Sequence, residues 1–296
     1  MADDAENLLR GVNALIAGGY DAVPYDEPAS PGLDPMHIFS LAGRYIGPRD
    51  ATKVDVLDLG CGTGAQLERT AGLTSGTVVG TDLSSTAVAR TAERIARFGP
   101  RCRVMQADFM DLKADELGQF DLIYLVGVLY ITPPQVQRRL LELTADCLKP
   151  DGVAVISYYS GTVPLLMAGL HKILKANADP HSSPADQIRT ARAQIQTIAA
   201  TIGKMGGDQR LMSAILRQVY ETKDNIFFHE MLNQSFGTLT TSALEAALGT
   251  HGVHFLNWMQ AAPFEANATP RTRAMMADAY ALGGGGYFYG VFGKTG

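Results

Sequence analysis

The sequence predicts an α/β fold, a mostly parallel sheet of seven strands with helices on both faces. Three observations support this prediction. Short apolar runs alternate with amphipathic helical patterns over residues 53–160, as in consecutive βαβ units. The first of these runs ends in alternating glycines at positions 60–64. Near the end of the chain, residues 251–258 and 286–292 have the pattern of two further strands that complete the sheet.

Residues 1–52 precede the first core strand and are expected to form a lid of helix and loop over the domain. They contain an aromatic stretch bounded by Tyr20 and Tyr25, a proline-rich loop as far as Pro35, and an apolar helix over residues 38–45. The two tyrosines are candidate lid residues of an active site. Ordinary packing of two half-buried tyrosines is the alternative, and composition alone favours it.

The first core strand, residues 54–59, leads through the glycine turn into a helix over residues 65–71. Glycines let backbone N–H groups approach a ligand closely, and the N-terminus of the following helix favours a negative group. Strand, glycine turn and helix together are the opening of a nucleotide-binding βαβ unit. Because glycine-rich βα turns are also common in parallel-sheet proteins, a purely structural turn is the alternative.

Acidic residues stand at the ends of the second and third predicted strands, residues 77–81 and 102–107. Asp82 is placed to accept both hydroxyls of a ribose. Helix capping is the alternative for Asp82, although the serines that follow it could also do this. Asp108 and Phe109 suit an adenine, because the carboxylate accepts from the amino group and the ring packs on the base.

The fourth predicted strand, residues 120–126, is followed by a loop and by an amphipathic helix over residues 134–147. A fifth strand is predicted over residues 153–158. The loop contains Gly127 and Tyr130 and lies at the carboxyl end of a strand, where ligands bind in open α/β sheets. Tyr130 is therefore expected close to the reacting group.

Residues 162–225 show three helical patterns and no strand pattern, so a helical cap is expected to be inserted after strand five. Because the inserted segment follows the carboxyl end of that strand, we expect it to cover the acceptor site. A homodimer surface and a self-contained insertion are the alternatives. Residues 226–296 are expected to complete the core sheet. Ser242 and Glu245 form a capping-box pattern that predicts the start of a helix, and residues 270–282 are a further predicted helix.

Bulk composition argues against several classes of protein. The 296 residues carry 25 basic and 30 acidic side chains, for a net charge of −5, which argues against a nucleic-acid partner. Cys61, Cys102 and Cys147 are isolated, so no metal site is expected. No apolar run has transmembrane length, and the N-terminus lacks an apolar signal core. We therefore expect a cytoplasmic protein that does not bind membranes.

The ordered motifs resemble those of a known family. The glycine turn that follows Asp58, the Asp82-Leu83 pair and the Asp108-Phe109 pair match class I, Rossmann-like, S-adenosylmethionine-dependent methyltransferases in order and spacing. Nicotinamide enzymes differ, because the third glycine of their fingerprint comes one residue later.

The resemblance implies S-adenosylmethionine as the cofactor, bound by a core of residues 53–161. In this family the glycine turn lies against the methionine part, the backbone after strand four holds the ammonium, and the two acidic residues take ribose and adenine. The cofactor-binding residues that the resemblance implies are Asp58, Gly60, Cys61, Gly62, Gly64, Asp82, Leu83, Asp108, Phe109, Val126 and Gly127.

The chain also resembles a narrower group, bacterial methyltransferases with a methyltransferase regulatory domain, which includes protein-lysine methyltransferases. In the lid segment the matching positions are Tyr20, Asp21, Pro24 and Tyr25, and later in the chain they are His229 and Glu230. Motifs nearer the acceptor are altered, since Asp34 stands where the group has a histidine. A small-molecule acceptor with an oxygen or nitrogen nucleophile is therefore expected. A protein-lysine methyltransferase and a non-catalytic S-adenosylmethionine-binding regulator are the alternatives.

A general base is needed only if the acceptor arrives protonated. The candidates are His229, Glu230, Tyr25 and Tyr130. His229 leads because the pKa of an imidazole is suited to proton transfer near neutral pH. A structural histidine is the alternative at that position.

Overall fold

The computed structural model describes residues 2–260, 264 and 267–294, with side chains from residue 10 onward. Seven strands form one sheet in the order β3-β2-β1-β4-β5-β7-β6. Their bounds are β1 Val56–Leu59, β2 Val78–Asp82, β3 Cys102–Gln106, β4 Phe120–Leu125, β5 Leu148–Ser160, β6 Val253–Trp258 and β7 Gly286–Lys294. The predicted α/β fold with a mostly parallel, seven-stranded sheet is confirmed.

Strands β1 to β5 pair in parallel, and β7 runs antiparallel between β5 and β6. The short apolar runs form buried strands because helices cover both faces of the sheet. Strand order reverses between β1 and β4, so the turns that follow these two strands flank one crevice. In open α/β sheets such a crevice is the usual ligand site.

The described part of the chain contains twelve α-helices. Their bounds are α1 Ala2–Ala22, α2 Pro35–Ile46, α3 Ala65–Leu73, α4 Ser85–Ile95, α5 Ala114–Leu117, α6 Pro134–Cys147, α7 Thr162–Ala176, α8 Pro184–Ile202, α9 Arg210–Glu221, α10 Asp224–Met231, α11 Thr241–Gly249 and α12 Pro270–Leu282.

Two hydrophobic cores lie on opposite faces of the sheet. Alternate residues of β4 separate them, with Leu122 and Tyr124 in one core and Ile123 and Leu125 in the other. Helices α2, α3 and α4 close the first core, and α6, α11 and α12 close the second. The predicted amphipathic helix after β4 is confirmed as α6, which buries its apolar stripe in the second core.

Helices α7 to α10 form a helical insert with a third cluster of buried apolar side chains. The three predicted helical patterns are present, and α7 runs unbroken through Gly169. Helix α10 crosses the predicted boundary between residues 225 and 226 and packs on α7 and α8. The insert lies between β5 and the last two strands in sequence and adjoins the carboxyl end of β5.

The predicted capping box is wrong. Helix α11 begins after Thr240, whose hydroxyl accepts from the backbone N–H of Ala243 at 3.1 Å. The side chain of Glu245 instead accepts from the backbone N–H of Phe255 at 2.6 Å. Asp278, on α12, accepts the free N–H groups of Thr241 and Ser242. A tertiary contact therefore satisfies the first turn and leaves Glu245 available for β6.

Several strands and helices begin or end at residues other than those predicted. Strand β5 starts at Leu148, before the predicted residue 153, because Leu148 already pairs with Phe120 of β4. Strand β6 starts at Val253, since His251 and Gly252 still belong to the turn that ends α11. Helix α3 continues through Gly72 to Leu73. Within the predicted lid of helix and loop, no helix was assigned to the first 22 residues, yet residues 2–22 form α1.

Candidate functional site

The turn after β1 requires its three glycines for different reasons. All three have positive φ, namely 86° at Gly60, 54° at Gly62 and 82° at Gly64. A Cβ on Gly60 would lie 2.3 Å from Val128 Cγ2, and one on Gly64 would lie 2.6 Å from Thr91 Oγ1. A Cβ on Gly62 would meet no heavy atom within 4 Å. Two glycines therefore permit close packing, and the third leaves open space beside the backbone.

That open space belongs to a cavity at the carboxyl ends of β1, β2, β3 and β4, which we call the main cavity. Most of the predicted cofactor residues line it, and they are Gly60, Gly62, Asp82, Leu83, Asp108, Phe109, Val126 and Gly127. A groove adjoins the main cavity at the glycine turn and the end of β4, and Asp58, Cys61 and Gly64 line this groove. The fold thus gathers these residues around two connected spaces.

Asp82 is fixed by two backbone groups. One carboxylate oxygen accepts from the Gly62 N–H at 2.8 Å and the other from the Ser84 N–H at 2.9 Å. Burial raises the pKa of this carboxyl above its ordinary value. The N-cap of α4 is Ser84, whose hydroxyl accepts from the Ala87 N–H at 3.0 Å. Asp82 therefore braces the glycine turn, and its carboxylate faces the main cavity.

Asp58 and Cys61 lie deeper than the other predicted residues. The Asp58 side chain is 4% exposed, and burial together with the nearby Asp82 raises its pKa to about 7. Burial also raises the pKa of the Cys61 thiol. The Cys61 sulfur packs so close to β2 that a Cβ on Gly80 would lie 2.9 Å from it. Cys61 is thus a packing side chain that contributes its backbone to the turn.

Helix α1 covers the main cavity with one face, and of the α1 residues on this face only Tyr20 was a predicted lid residue. Asn13, Ile16, Ala17 and Tyr20 line the cavity at helical spacing. The Asn13 amide donates to Asp108 Oδ2 at 2.8 Å. At the other end of α1, the Ser84 hydroxyl donates to Asp21 Oδ1 at 2.5 Å. The i, i+3, i+4, i+7 spacing of these four residues was the available signal.

Five tyrosines surround Glu230 where the main cavity meets the adjoining groove, and we call this space the tyrosine chamber. The rings of this chamber belong to Tyr20, Tyr25, Tyr130, Tyr159 and Tyr287. Burial raises the pKa of each phenol, and the negative charge of Glu230 raises it further. Edge-to-face and tilted contacts join three of them. Ring centroids are 4.8 Å apart for Tyr130 and Tyr159, and 4.9 Å apart for Tyr159 and Tyr287.

Glu230 is the acidic centre of the tyrosine chamber. The Tyr159 hydroxyl donates to Glu230 Oε1 at 3.0 Å. Burial raises the pKa of the Glu230 carboxyl to about 7, although hydrogen bonds from Tyr159 and Tyr130 oppose this rise. The side chain borders both the main cavity and the adjoining groove. A carboxyl that titrates near neutral pH in a cleft is suited to proton transfer.

His229 lies beside the tyrosine chamber but has a partner of its own. Its Nε2 is 2.5 Å from the Val23 carbonyl oxygen, to which an N–H at that position donates. Its ring stacks on Tyr20 with centroids 4.0 Å apart and meets Tyr25 edge-on. Burial lowers the pKa of this imidazole. The ring therefore ties α10 to α1 and to the segment after it, in the neutral form.

Tyr159 and Tyr287 were not among the predicted site residues. Tyr159 lies near the end of β5 and Tyr287 near the start of β7, opposite each other in the sheet. Ser157 connects them to the loop after β4, because its Oγ accepts from the Gly127 N–H at 2.8 Å and lies 2.6 Å from the Tyr287 hydroxyl. The aromatic pattern of β7 and the Ser-Tyr-Tyr run over residues 157–159 were the sequence signals.

Neither a metal site nor a membrane-spanning helix is found in the described part of the chain. Among those residues, no group of three or more His, Cys, Asp or Glu side chains could hold a metal ion. Likewise, no described helix is long and apolar enough to cross a membrane.

Comparison with known sequences identifies the segment that carries the glycine turn. A family model for a methyltransferase domain matches residues 56–152. Two uncharacterized proteins of Rickettsia prowazekii, RP789 and RP028, are 28% identical over 165 residues and 29% identical over 142 residues. These matches cover 53% and 47% of this chain, and 29% and 56% of the relatives. The chain thus spans about half or less of the length of these relatives.

Comparison with solved structures extends the likeness beyond that segment. PKMT2 from Rickettsia typhi superposes with a TM-score of 0.74 at 19% identity, over 90% of this chain and 54% of that one. Its complex with AdoHcy superposes with a TM-score of 0.75 at 18% identity, over 91% of this chain. At this identity the similarity shows a common fold, and it includes the helical insert as well as the core.

Proposed function

Residues 56–152 are a class I S-adenosylmethionine-dependent methyltransferase domain, and on this premise we propose that the chain methylates an amine nitrogen of a small-molecule acceptor. The observation that carries the proposal is Glu230, a carboxyl with a pKa of about 7 among five tyrosine rings. Glu230 lines the main cavity together with the residues suited to adenosine, and it also borders the adjoining groove.

The residues of the main cavity fit S-adenosylmethionine. Gly62 leaves the space beside its backbone open. Asp82 and Asp108 offer carboxylate oxygens at the ends of β2 and β3, where ribose and adenine are expected. Asp58 lies behind the glycine turn as a carboxyl whose charge is destabilised by burial, and a cationic ammonium would relieve that cost.

The cofactor supplies a methyl carbon that its sulfonium makes electrophilic. The protein's contribution is then alignment of the acceptor and exclusion of water. Tyr130 and Tyr159 pack edge to face at the floor of the chamber and restrict the position of an incoming group. Helix α1 covers the cavity from one side with Asn13, Ile16, Ala17 and Tyr20.

The charge pattern of the chamber favours an amine over other acceptors. An aliphatic amine arrives as an ammonium at neutral pH, and aromatic rings together with a carboxylate attract such a cation. Glu230 can then accept the proton that the nitrogen must lose before it attacks. Within the described residues, no Lys or Arg lines the main cavity or the adjoining groove, so nothing there favours an anionic acceptor.

A protein amine is the second candidate acceptor. The observation that favours it is the similarity to PKMT2, a protein methyltransferase, over 90% of this chain. The small-molecule proposal is supported instead by the position of Glu230, which is half-buried among tyrosine rings.

The test uses S-adenosylmethionine labelled on its methyl group. The enzyme is incubated with the labelled cofactor and a cell extract, and the products are separated into small-molecule and macromolecular fractions. We expect label in an amine of the small-molecule fraction, and at least a hundredfold less with Glu230→Gln. Label in protein would establish the second candidate. Cofactor binding without transfer to any fraction would instead indicate a regulatory binding protein.

A further inference from the structure

Asn13 is a polar side chain of α1 that lies in the main cavity and outside the matched methyltransferase segment. It is 6% exposed and borders the cavity next to Asp108. We propose that Asn13 is a cofactor-binding residue that recognises the amino group of the adenine. The inference rests on the use of S-adenosylmethionine and is independent of the nature of the acceptor.

The orientation of the Asn13 amide is determined by its neighbour. The Asn13 amide nitrogen donates to Asp108 Oδ2 at 2.8 Å, which is the orientation that pairs a donor with a carboxylate oxygen. The second oxygen of Asp108 accepts from the Met110 N–H at 3.0 Å, which holds the carboxylate in place. A flip of the amide would bring two acceptor oxygens together. Asp108 therefore fixes which end of Asn13 faces the cavity.

The carbonyl oxygen of Asn13 is the end that remains for a ligand. No described residue donates a hydrogen bond to it, although the side chain is more than nine-tenths buried. Asn recognises adenine in other complexes through the amino group and a ring nitrogen. With its amide nitrogen held by Asp108, Asn13 offers an acceptor to the adenine amino group and would repel a carbonyl oxygen at the same position.

The position of Asn13 is secured by its own hydrogen bond to Asp108 and by contacts at the carboxyl end of α1. Tyr20 lies two turns further along the same face and stacks on His229. Asp21 accepts from the Ser84 hydroxyl at 2.5 Å. Because α1 is held at two points, the Asn13 oxygen is presented at a fixed place, and this is a condition for discrimination between two similar bases.

The test compares two ligands that differ only at this atom of the base. S-adenosylhomocysteine carries an amino group, and S-inosylhomocysteine carries a carbonyl oxygen in its place. The dissociation constants of both are measured by calorimetry on the full chain. We expect the wild type to prefer the adenine ligand, and Asn13→Ala to reduce this preference about fivefold, as the loss of one hydrogen bond would.

Asp21→Ala is the matched control, because it removes the acceptor of the Ser84 hydroxyl and so loosens the carboxyl end of α1 without touching the base. This variant should weaken the binding of both ligands by the same factor and leave the ratio of their dissociation constants unchanged. If Asn13→Ala also weakened both ligands equally, Asn13 would only hold the helix and the inference would be overturned. If the wild type bound neither ligand, the cofactor assignment itself would fail. The ratio is taken within one variant, so partial unfolding does not affect it.

Discussion

Glu230 shows how a single carboxyl acquires a pKa suited to proton transfer. An exposed glutamate would be ionised over the whole neutral range and would be a weak base. Burial behind tyrosine rings raises its pKa to about 7, while hydroxyl donors oppose the rise by stabilising the ionised form. The environment therefore sets a balance at which the carboxyl can accept a proton and release it again near pH 7.

This balance predicts the pH dependence of methyl transfer. Only the ionised carboxylate can accept a proton, so kcat/KM should rise as the pH increases through about 7 and level off above it. Glu230→Gln should lower the rate by about 10²- to 10⁴-fold and move the rise toward the higher pKa of the free amine. The measurement is a pH–rate profile with a labelled methyl group.

Tyr159→Phe separates this explanation from a general loss of structure. Removal of the hydroxyl takes away a hydrogen bond that lowers the pKa of Glu230, so the rising limb should shift to higher pH. The isosteric ring keeps the packing. An unchanged midpoint in Tyr159→Phe would argue that another group titrates in the profile.

At the scale of elements, the glycine turn combines a folding role and a binding role that two substitutions can separate. Gly64→Ala would place a methyl 2.6 Å from Thr91 Oγ1 at a φ of 82°, so we expect a loss of about 2–3 kcal/mol of folding free energy. Gly62→Ala has space for its methyl and should lose only about 1 kcal/mol. That methyl would occupy the space where the cofactor approaches, and we expect at least tenfold weaker binding of S-adenosylhomocysteine.

Urea unfolding measures the change in folding free energy, and calorimetry measures the change in affinity for S-adenosylhomocysteine. Gly72→Ala is the control, since Gly72 lies within α3 and a Cβ there would come no closer than 4.0 Å to Phe98. It should stabilise the fold slightly and leave binding unchanged. Wild-type affinity in Gly62→Ala would show that the open space beside Gly62 is not used by the cofactor.

The core elements could be predicted from the sequence because their signals are local. Apolar runs gave the strands, and parallel pairing brings their carboxyl ends to one edge, so Asp82 and Asp108 were expected to converge. The start of α11 could not be predicted in the same way. Thr240 and Ser242 can both cap a helix, and the choice depends on Asp278, which lies 36 residues further along the chain from Ser242.

The tyrosine chamber was predicted only in part, for the same physical reason. Tyr25 and Glu230 were candidates because the motifs of the resembled group contain them, and Tyr130 was expected near the reacting group because its loop follows the carboxyl end of a strand. Tyr159 and Tyr287 meet through antiparallel pairing of β5 with β7, and Tyr159 reaches a carboxylate 71 residues away. Periodicity within one segment carries no information about such pairings.

On the scale of the whole molecule, one ligand site is assembled from three parts of the chain. The sheet supplies the glycine turn and the acidic residues, α1 supplies the covering face, and α10 supplies His229 and Glu230. The interaction of His229 with Val23 joins α10 to the segment that follows α1. Cofactor and acceptor ends are therefore covered by elements that contact each other.

This arrangement predicts that cofactor binding stabilises α1 locally. S-adenosylhomocysteine at about 100 times its Kd stabilises the bound state by about 2.7 kcal/mol. Backbone amides of residues 10–22 that exchange when α1 opens should then exchange about 100-fold more slowly. Helix α12 packs against α11 and β6 and does not line the cavity. Those of its amides that exchange by local opening should therefore keep the same exchange rates. Hydrogen exchange with mass spectrometry measures both. Asp21→Ala, which removes the acceptor of the Ser84 hydroxyl, should speed exchange in α1 of the free protein. Equal slowing in α1 and α12 on cofactor binding would contradict a cover that opens locally.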